Sequence, residues 1–172
     1  MIKTNNIREE LSGITTVAIS GHIRPDGDCV GSCMGLYLYL KENFPQLKKI
    51  DVYLQEIPES YHIISGTEDI HHNCDSDETY DLFIALDCGD LGRLGDAAKY
   101  FRSAKKTLCY DHHISNNGFA DTDYVDPAIS STSELIYHVM DSDKITKEIA
   151  EALYLGIAHD TGIFQYSCTS PH

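Results

Sequence analysis

The sequence Gly21-His22-Ile23-Arg24-Pro25-Asp26-Gly27-Asp28 places one imidazole and two carboxylates between two apolar segments. Residues 15–20, just before it, are mostly β-branched or apolar, which predicts a buried strand. Residues 29–40, just after it, are apolar and contain glycine, which predicts a packed helix. Side chains of the metal-ligand type therefore lie where a strand ends and a helix begins, and ligands bind at such places in open α/β sheets.

Predicted strands and helices continue to follow one another along the rest of the chain. Residues 55–80 are irregular, and Ser131 and Glu134 have the spacing of a helix capping box. Glycines 89, 92 and 95 do not fit a dinucleotide-binding fingerprint. The order of segments predicts an α/β fold with a mostly parallel sheet flanked by helices. The further predicted strands are 48–54, 81–86 and 106–110, and the further helices are about 96–103, one starting after Ser131, and about 146–158.

Composition limits the functions that the chain can have. With 172 residues we expect one domain, and no apolar run approaches the roughly 20 residues of a membrane span. The polar start lacks the features of a signal peptide, so we expect a cytoplasmic protein that does not bind membranes. A net charge of −14 argues against stable binding of duplex nucleic acid. The six cysteines show neither Cys-x-x-Cys nor zinc-finger spacing, which predicts free, mostly buried thiols.

Acidic and imidazole residues end four separate segments. The carboxyl ends of parallel strands share one edge, so three of the groups should converge there, and Asp160 joins them if the last helix returns to that edge. Any one of these aspartates alone would be read as a helix cap or a turn former. Several carboxylates in one small site repel one another unless cations lie between them. Oxygen and imidazole ligands suit Mn²⁺ or Mg²⁺, and less specifically Fe²⁺ or Zn²⁺. The groups are His22/Asp26/Asp28, Asp87, Asp111/His112/His113 and Asp160.

These groups contain more ligands than one octahedral ion needs, which predicts two ions with one carboxylate bridging them. Three other histidines are given no role. His71 and His72 lie in an acidic loop and are predicted to be solvated. His159, beside the last group, is interpreted as a local substitution rather than as an additional ligand.

The same residues resemble the motifs of the DHH phosphoesterases, in the family's order and over nearly the whole chain. The resemblance implies the α/β DHH catalytic domain, a Rossmann-like three-layer sandwich. The first and third motifs together are highly specific. The four matching segments are His22-x-x-Pro25-Asp26-x-Asp28, Leu86-Asp87-Cys88-Gly89-Asp90, Asp111-His112-His113 and Asp160-Thr161-Gly162.

The resemblance implies two divalent ions, Mn²⁺ by preference, with Asp87 bridging them. Asp111 would orient an imidazole, and His113 would face the substrate phosphate as a hydrogen-bond or proton donor. Arg93 and Asn116 are weaker candidates for phosphate or loop contacts and can equally be structural. The implied ligands are His22, Asp26 and Asp87 for one ion and Asp28, Asp87, His112 and Asp160 for the other.

Residues 90–95 and 131–134 resemble one branch of the family. Its members hydrolyse short oligoribonucleotides to nucleoside 5′-monophosphates and remove the 3′-phosphate of adenosine 3′,5′-bisphosphate. The expected activity is therefore phosphoester hydrolysis by a two-metal-activated hydroxide. The alternatives within the family are a manganese inorganic pyrophosphatase and a phosphodiesterase for cyclic dinucleotides or single-stranded DNA. A metal- or nucleotide-binding module without activity is the alternative from another class, and a homodimer is left open.

Members of this branch are about twice as long and carry a second, C-terminal domain that binds substrate. Nothing in the present sequence matches the glycine- and histidine-containing motif of that domain. We therefore expect residues 1–172 to be the DHH catalytic domain, with the second domain absent from this chain. No closing element follows the last predicted helix, so the sequence is expected to be cut there.

Overall fold

The computed structural model describes residues 5–170. Its strands are β1 (Thr16–Ser20), β2 (Lys49–Tyr53), β3 (Ile70–His71), β4 (Leu82–Leu86), β5 (Lys106–Asp111) and β6 (Thr122–Val125). Its α-helices are α1 (Ile7–Glu10), α2 (Gly27–Asn43), α3 (Ala98–Ser103), α4 (Thr132–His138) and α5 (Lys147–Asp160). Four 3₁₀ helices cover Glu59–Ile63, Thr67–Asp69, Leu91–Ala97 and Ser142–Lys144.

The six strands form one sheet in the order β3-β2-β1-β4-β5-β6, and every pair of neighbouring strands is parallel. The prediction of a mostly parallel α/β sheet is confirmed. The direction of strand order changes between β1 and β4, which gives a crevice at their carboxyl ends. The registers Ser20 with Ala85 and Leu86 with Tyr110 bring the ends of β1, β4 and β5 level. The residues after these three strands therefore meet at one edge.

Helices cover both faces of the sheet, so its central strands are apolar on both sides. Val17, Ile19 and Ile84 pack in the core that contains α2, α4 and α5. Ala18 and Phe83, which alternate with them, pack in a second core with the residues of α3. The alternation of side chains along each strand therefore produces the three layers that the family resemblance implied.

The structure differs from the sequence prediction at several elements. The short edge strands β3 and β6 lie in segments where no strand was predicted, and α2 starts two residues earlier than expected. Asp26 is the N-cap of α2, and its Oδ1 accepts the N–H groups of Asp28 and Cys29, both at 3.1 Å. Asp28 is therefore a buried residue of the first helical turn, whereas the predicted helix began one residue after it.

Helices α2 and α5 approach closely because glycines face the contact. A Cβ atom added at Gly31 would lie 2.5 Å from the backbone oxygen of Ala152. One added at Gly35 would lie 2.6 Å from Leu153 Cδ2, and one at Gly27 would lie 2.6 Å from His159 Cβ. The three glycines are spaced four residues apart and so form one stripe on α2. This stripe lets α5 lie against α2 along its length.

Two aspartates connect the amino ends of the strands. Asp81 Oδ2 accepts the N–H groups of Thr15 and Thr16 at 2.9 and 3.1 Å and the Thr15 hydroxyl at 2.7 Å. Asp121 Oδ2 accepts the N–H and the hydroxyl of Thr107 in the same way, at 2.8 and 2.9 Å. The same arrangement thus joins β1 to β4 and β5 to β6, at the edge opposite the crevice.

We expect the Asp81→Ala variant to lose about 2–3 kcal/mol of folding free energy, because N–H groups at the start of β1 lose a charged acceptor. Hydrogen bonds from Lys105 and Thr15 lower the pKa of Asp81 below its usual value. The contribution is therefore complete above the unfolded-state pKa of about 4 and is lost as the pH falls through the lowered pKa. Urea unfolding at pH 7 and at pH 3 measures both effects.

The matched control is Asp77→Ala, because Asp77 is an exposed acid on the segment that precedes β4. It should change the unfolding free energy by less than about 0.5 kcal/mol. An Asp81→Ala loss of the same size at both pH values would contradict the proposed contribution of the ionised carboxylate.

Candidate metal centre

The first cluster of ligand-type atoms comes from the loop between β1 and α2 and from the end of β4. His22, Asp26 and Asp87 each offer one such atom, and these atoms lie within 4.8 Å of one another. His22 Nδ1 is 2.9 Å from the Ile23 carbonyl oxygen, which only accepts, so Nδ1 carries the proton. His22 Nε2 faces Asp26 Oδ1 at 3.6 Å and Asp87 Oδ2 at 3.4 Å. This arrangement leaves Nε2 as the atom that could bind a metal.

The second cluster contains Asp28, His112 and Asp160. His112 Nε2 lies 3.1 Å from Asp160 Oδ2 and 3.9 Å from Asp28 Oδ2. Asp160 is the last residue of α5. The helix therefore returns to the carboxyl edge of the sheet, which the sequence alone left undecided.

Asp87 lies between the two clusters. Its Oδ2 faces His22 Nε2, whereas its Oδ1 is 3.5 Å from His112 Nε2 and accepts the Thr132 hydroxyl at 3.0 Å. The residue is 2% exposed and has a left-handed backbone, with φ 54°. Asp is among the few non-glycine residues that tolerate this conformation, and here it turns the carboxylate so that each oxygen faces one cluster.

The centre holds more buried negative charge than the protein neutralises. Burial and the neighbouring carboxylates of Asp87 and Asp160 raise the pKa of Asp28. Burial disfavours the charged form of His22, but hydrogen bonds to Asp26 and Asp87 outweigh it and raise its pKa to about 11. In the metal-free protein, the protonated imidazoles therefore supply positive charge beside these carboxylates. The donor atoms are oxygens and imidazole nitrogens, so this set fits hard or borderline divalent ions.

Sequence reasoning missed the residues that hold Asp28. The N–H groups of Thr132 and Ser133, at the first turn of α4, donate to its two carboxylate oxygens at 2.6 and 2.8 Å. Ser131 caps this helix by accepting the Glu134 N–H at 3.1 Å. The capping box is incomplete, because Glu134 Oε2 accepts the N–H of Ser130, one residue before the cap. The capping pattern predicted the amino-terminal end of α4. Nothing in the sequence indicated that this helix end contacts Asp28.

His113 forms a further group that could hold a metal with Asp87 and His112, and its side chain is 42% exposed. Its Nδ1 is 2.7 Å from Asp111 Oδ1, and this hydrogen bond raises the pKa of His113 above its usual value. Asp111 is fully buried, and its Oδ2 accepts Asn116 Nδ2 at 2.8 Å. Asp111 therefore orients His113 rather than His112. The Asn116 amide orients Asp111 in turn, so its expected substrate contact stays a prediction.

Other residues singled out from the sequence lie around this centre. The Arg93 carbonyl accepts the Ile23 N–H at 2.7 Å, so its backbone fixes the loop beside His22, and a phosphate contact by its side chain stays a prediction. His71 is half exposed and stacks on Tyr53 at 5.2 Å, and among residues 5–170 neither His71 nor His72 belongs to a group that could hold a metal. All six cysteines are free, as expected, and four of them are buried.

The fold and the site together define an α/β protein with clusters of carboxylates and imidazoles that could bind metal ions at the carboxyl edge of a parallel sheet. Residues 16–157 match the family model described as "DHH family, N-terminal domain". This match covers most of the chain, and the protein belongs to the DHH family.

Curated relatives share this region. The chain is 30% identical over 99% of its length to a "Probable bifunctional oligoribonuclease and PAP phosphatase NrnA" of Streptococcus mutans, and it covers 53% of that protein. It is 30% identical over 98% of its length to the "Bifunctional oligoribonuclease and PAP phosphatase NrnA" of Bacillus subtilis, again covering 53%. The chain thus spans about half the length of the curated relatives it matches.

A solved structure is also similar. The crystal structure of an "exopolyphosphatase-related protein" from Bacteroides fragilis superposes with a TM-score of 0.86 at 28% identity. The alignment covers 96% of this chain and 52% of that one. Within residues 5–170, no helix combines the length and the apolar character needed to cross a membrane.

Proposed function

We propose that this protein is a metal-dependent phosphoesterase that uses two divalent ions, Mn²⁺ by preference. The observation that carries the proposal is the Asp87 carboxylate, whose two oxygens face His22 on one side and His112 on the other. A carboxylate in this position can bridge two ions, and dinuclear sites of this kind are typical of phosphate-ester hydrolysis. We propose the ligand sets given by the resemblance, with His22, Asp26 and Asp87 holding one ion and Asp28, Asp87, His112 and Asp160 the other.

The proposed substrates are short oligoribonucleotides, cleaved to nucleoside 5′-monophosphates, and adenosine 3′,5′-bisphosphate, which would lose its 3′-phosphate. The names of the relatives from Streptococcus and Bacillus support this choice. We propose that residues 1–172 form the catalytic domain. The free thiols of all six cysteines support a reducing, cytoplasmic location. We leave open whether the protein is a dimer, and size-exclusion chromatography with light scattering tests this.

Bound divalent ions would activate water as the nucleophile and neutralise charge on the phosphate. The chain's own residues would hold the ions and orient the groups that take part in the reaction. Asp87 spaces the two ligand sets, and the helix α4 N–H groups keep the Asp28 carboxylate in place. Asp111 holds His113 through Nδ1. The other ring nitrogen, Nε2, can then donate a proton to the leaving oxygen. Ions held by these residues would also let a chain with a net charge of −14 accept an anionic substrate.

The test compares three substrates with the 172-residue protein, namely a 5′-labelled diribonucleotide, adenosine 3′,5′-bisphosphate and pyrophosphate. Each is incubated with Mn²⁺, with Mg²⁺ and with excess chelator. We expect Mn²⁺-dependent hydrolysis of the first two that the chelator abolishes. Rapid hydrolysis of pyrophosphate alone would favour the pyrophosphatase function, and two bound ions without hydrolysis of any substrate would indicate a non-catalytic binding module.

We expect the His113→Ala variant to lose turnover by about 10²–10⁴-fold, because a positioned proton donor contributes that much. It should still bind two ions, because His113 belongs to neither of the proposed ligand sets and its Nδ1 is held by Asp111. Steady-state kinetics and calorimetric titration with Mn²⁺ measure the two properties. The control is His62→Ala, an exposed histidine on the 3₁₀ helix Glu59–Ile63. Loss of an ion in the His113 variant would instead make His113 a metal ligand.

A further inference from the structure

His159 occupies a defined place on the last turn of α5, next to Asp160. Its side chain is 41% exposed, yet one side of it rests against the first residue of α2. A Cβ atom at Gly27 would lie 2.6 Å from His159 Cβ and 2.8 Å from its Cγ. The absence of a side chain at Gly27 therefore makes room for the imidazole. This contact fixes the ring at the rim of the metal centre.

The ring is also hydrogen-bonded to a member of the second cluster. His159 Nδ1 lies 3.1 Å from Asp160 Oδ1, and an ionised carboxylate only accepts, so Nδ1–H donates. The other oxygen, Asp160 Oδ2, is 3.1 Å from His112 Nε2. Asp160 thus contacts one imidazole with each oxygen. Because rotation of the carboxylate would break the bond to His159, this bond sets the direction in which Oδ2 points.

His159 also joins the two clusters. Asp26, His159 and Asp160 each offer an atom within 4.8 Å of the others. Asp26 belongs to the first cluster and Asp160 to the second, so the imidazole lies where the two sets of carboxylates come together on the solvent side. Asp87 joins the same two sets on the buried side. The sequence interpretation, which gave His159 no role, does not account for these contacts.

We propose that His159 is a positioning residue of the metal centre, whose Nδ1–H holds Asp160 in the orientation that serves the second ion. The proposal rests on the proposed dinuclear function. Partners that orient a metal ligand in this way typically change metal affinity by 10–100-fold when they are removed. The affected ion should be the one that Asp160 shares with Asp28 and His112.

The test uses three substitutions of His159. Asn places its amide N–H₂ near the position of Nδ1 and preserves the donor to Asp160. Gln places its amide near the position of Nε2, and Ala has no donor. His138→Ala is the control, because His138 is an exposed histidine at the end of α4, outside all groups that could hold a metal among residues 5–170. Calorimetric titration of each metal-free protein with Mn²⁺ gives the number of ions and their Kd values.

We expect wild-type protein, His159→Asn and the control to bind two ions with similar Kd values. His159→Ala and His159→Gln should weaken one of the two ions by about 10–100-fold, with unchanged thermal unfolding of the metal-free protein. Wild-type affinity in His159→Ala would overturn the positioning role alone. Complete loss of one ion in that variant would make His159 a ligand, and equal weakening in all three variants would assign the effect to packing on Gly27. If wild-type protein binds fewer than two ions, the proposed function falls as well.

Discussion

The Asp87→Asn variant should lose Mn²⁺-dependent hydrolysis by about a thousandfold or more. Asn keeps the size of the side chain and tolerates the left-handed backbone at φ 54°, so the fold should persist. The variant removes the negative charge and one metal-binding oxygen from the position between His22 and His112. Metal ions supply several kcal/mol of charge stabilisation in the transition state, and 4 kcal/mol corresponds to about a thousandfold in rate. Initial rates with adenosine 3′,5′-bisphosphate measure the loss.

Asp143→Asn is the matched control, since Asp143 lies on the 3₁₀ helix Ser142–Lys144, outside both clusters. It should keep full activity and bind two ions. Titration with Mn²⁺ should show that Asp87→Asn binds at most one ion tightly. An Asp87→Asn enzyme that retains two ions and wild-type rates would refute the bridging role of this carboxylate.

The Gly156→Ala variant should be destabilised and should bind metal poorly. In an ordinary helix this change stabilises by about 1 kcal/mol, because alanine has the higher helix propensity. Here the added Cβ would lie 1.9 Å from Ser133 Oγ and 2.6 Å from Asp28 Oδ1. Overpacking of this kind costs about 1–3 kcal/mol, which outweighs the gain in propensity. Thermal unfolding and Mn²⁺ titration should both show the effect, since α4 or Asp28 must move.

A second substitution separates sterics from helix propensity. In the double variant Gly156→Ala/Ser133→Gly the nearest contact is gone, whereas the contact with Asp28 remains. We expect part of the lost stability to return relative to Ser133→Gly alone, with metal affinity still reduced. Additive effects of the two substitutions would show that Ser133 and residue 156 do not interact, contrary to the structure.

The positions of the candidate ligand residues were predictable because strand ends in parallel sheets share an edge. Residues 15–20, 81–86 and 106–110 read as buried strands, and the side chains that follow them were placed correctly at that edge. The order of segments was enough to expect the parallel α/β sheet. Short edge strands escaped detection, because β3 has two residues and β6 has only one buried side chain. Such segments show no clear apolar alternation.

Contacts between residues distant in sequence could not be predicted. The bonds from Thr132 and Ser133 to Asp28 join residues more than 100 positions apart, and no local pattern encodes that pairing. The role of Asn116 was also hidden, because its amide turns inward to Asp111 rather than toward the crevice. The glycines of α2 were visible in the sequence, but their function depends on which helix packs against them.

The left-handed Asp87 implies a trade-off between stability and activity at the centre of the molecule. A non-glycine residue in this conformation costs of order 1 kcal/mol, and its buried carboxylate also repels Asp28. Without bound cations, the wild-type chain should therefore be less stable than a chain that is neutral at this position. The metal-free Asp87→Asn protein should melt at a higher temperature than metal-free wild type, and added Mn²⁺ should reverse the order. Selection for catalysis would thus maintain a carboxylate that destabilises the metal-free protein.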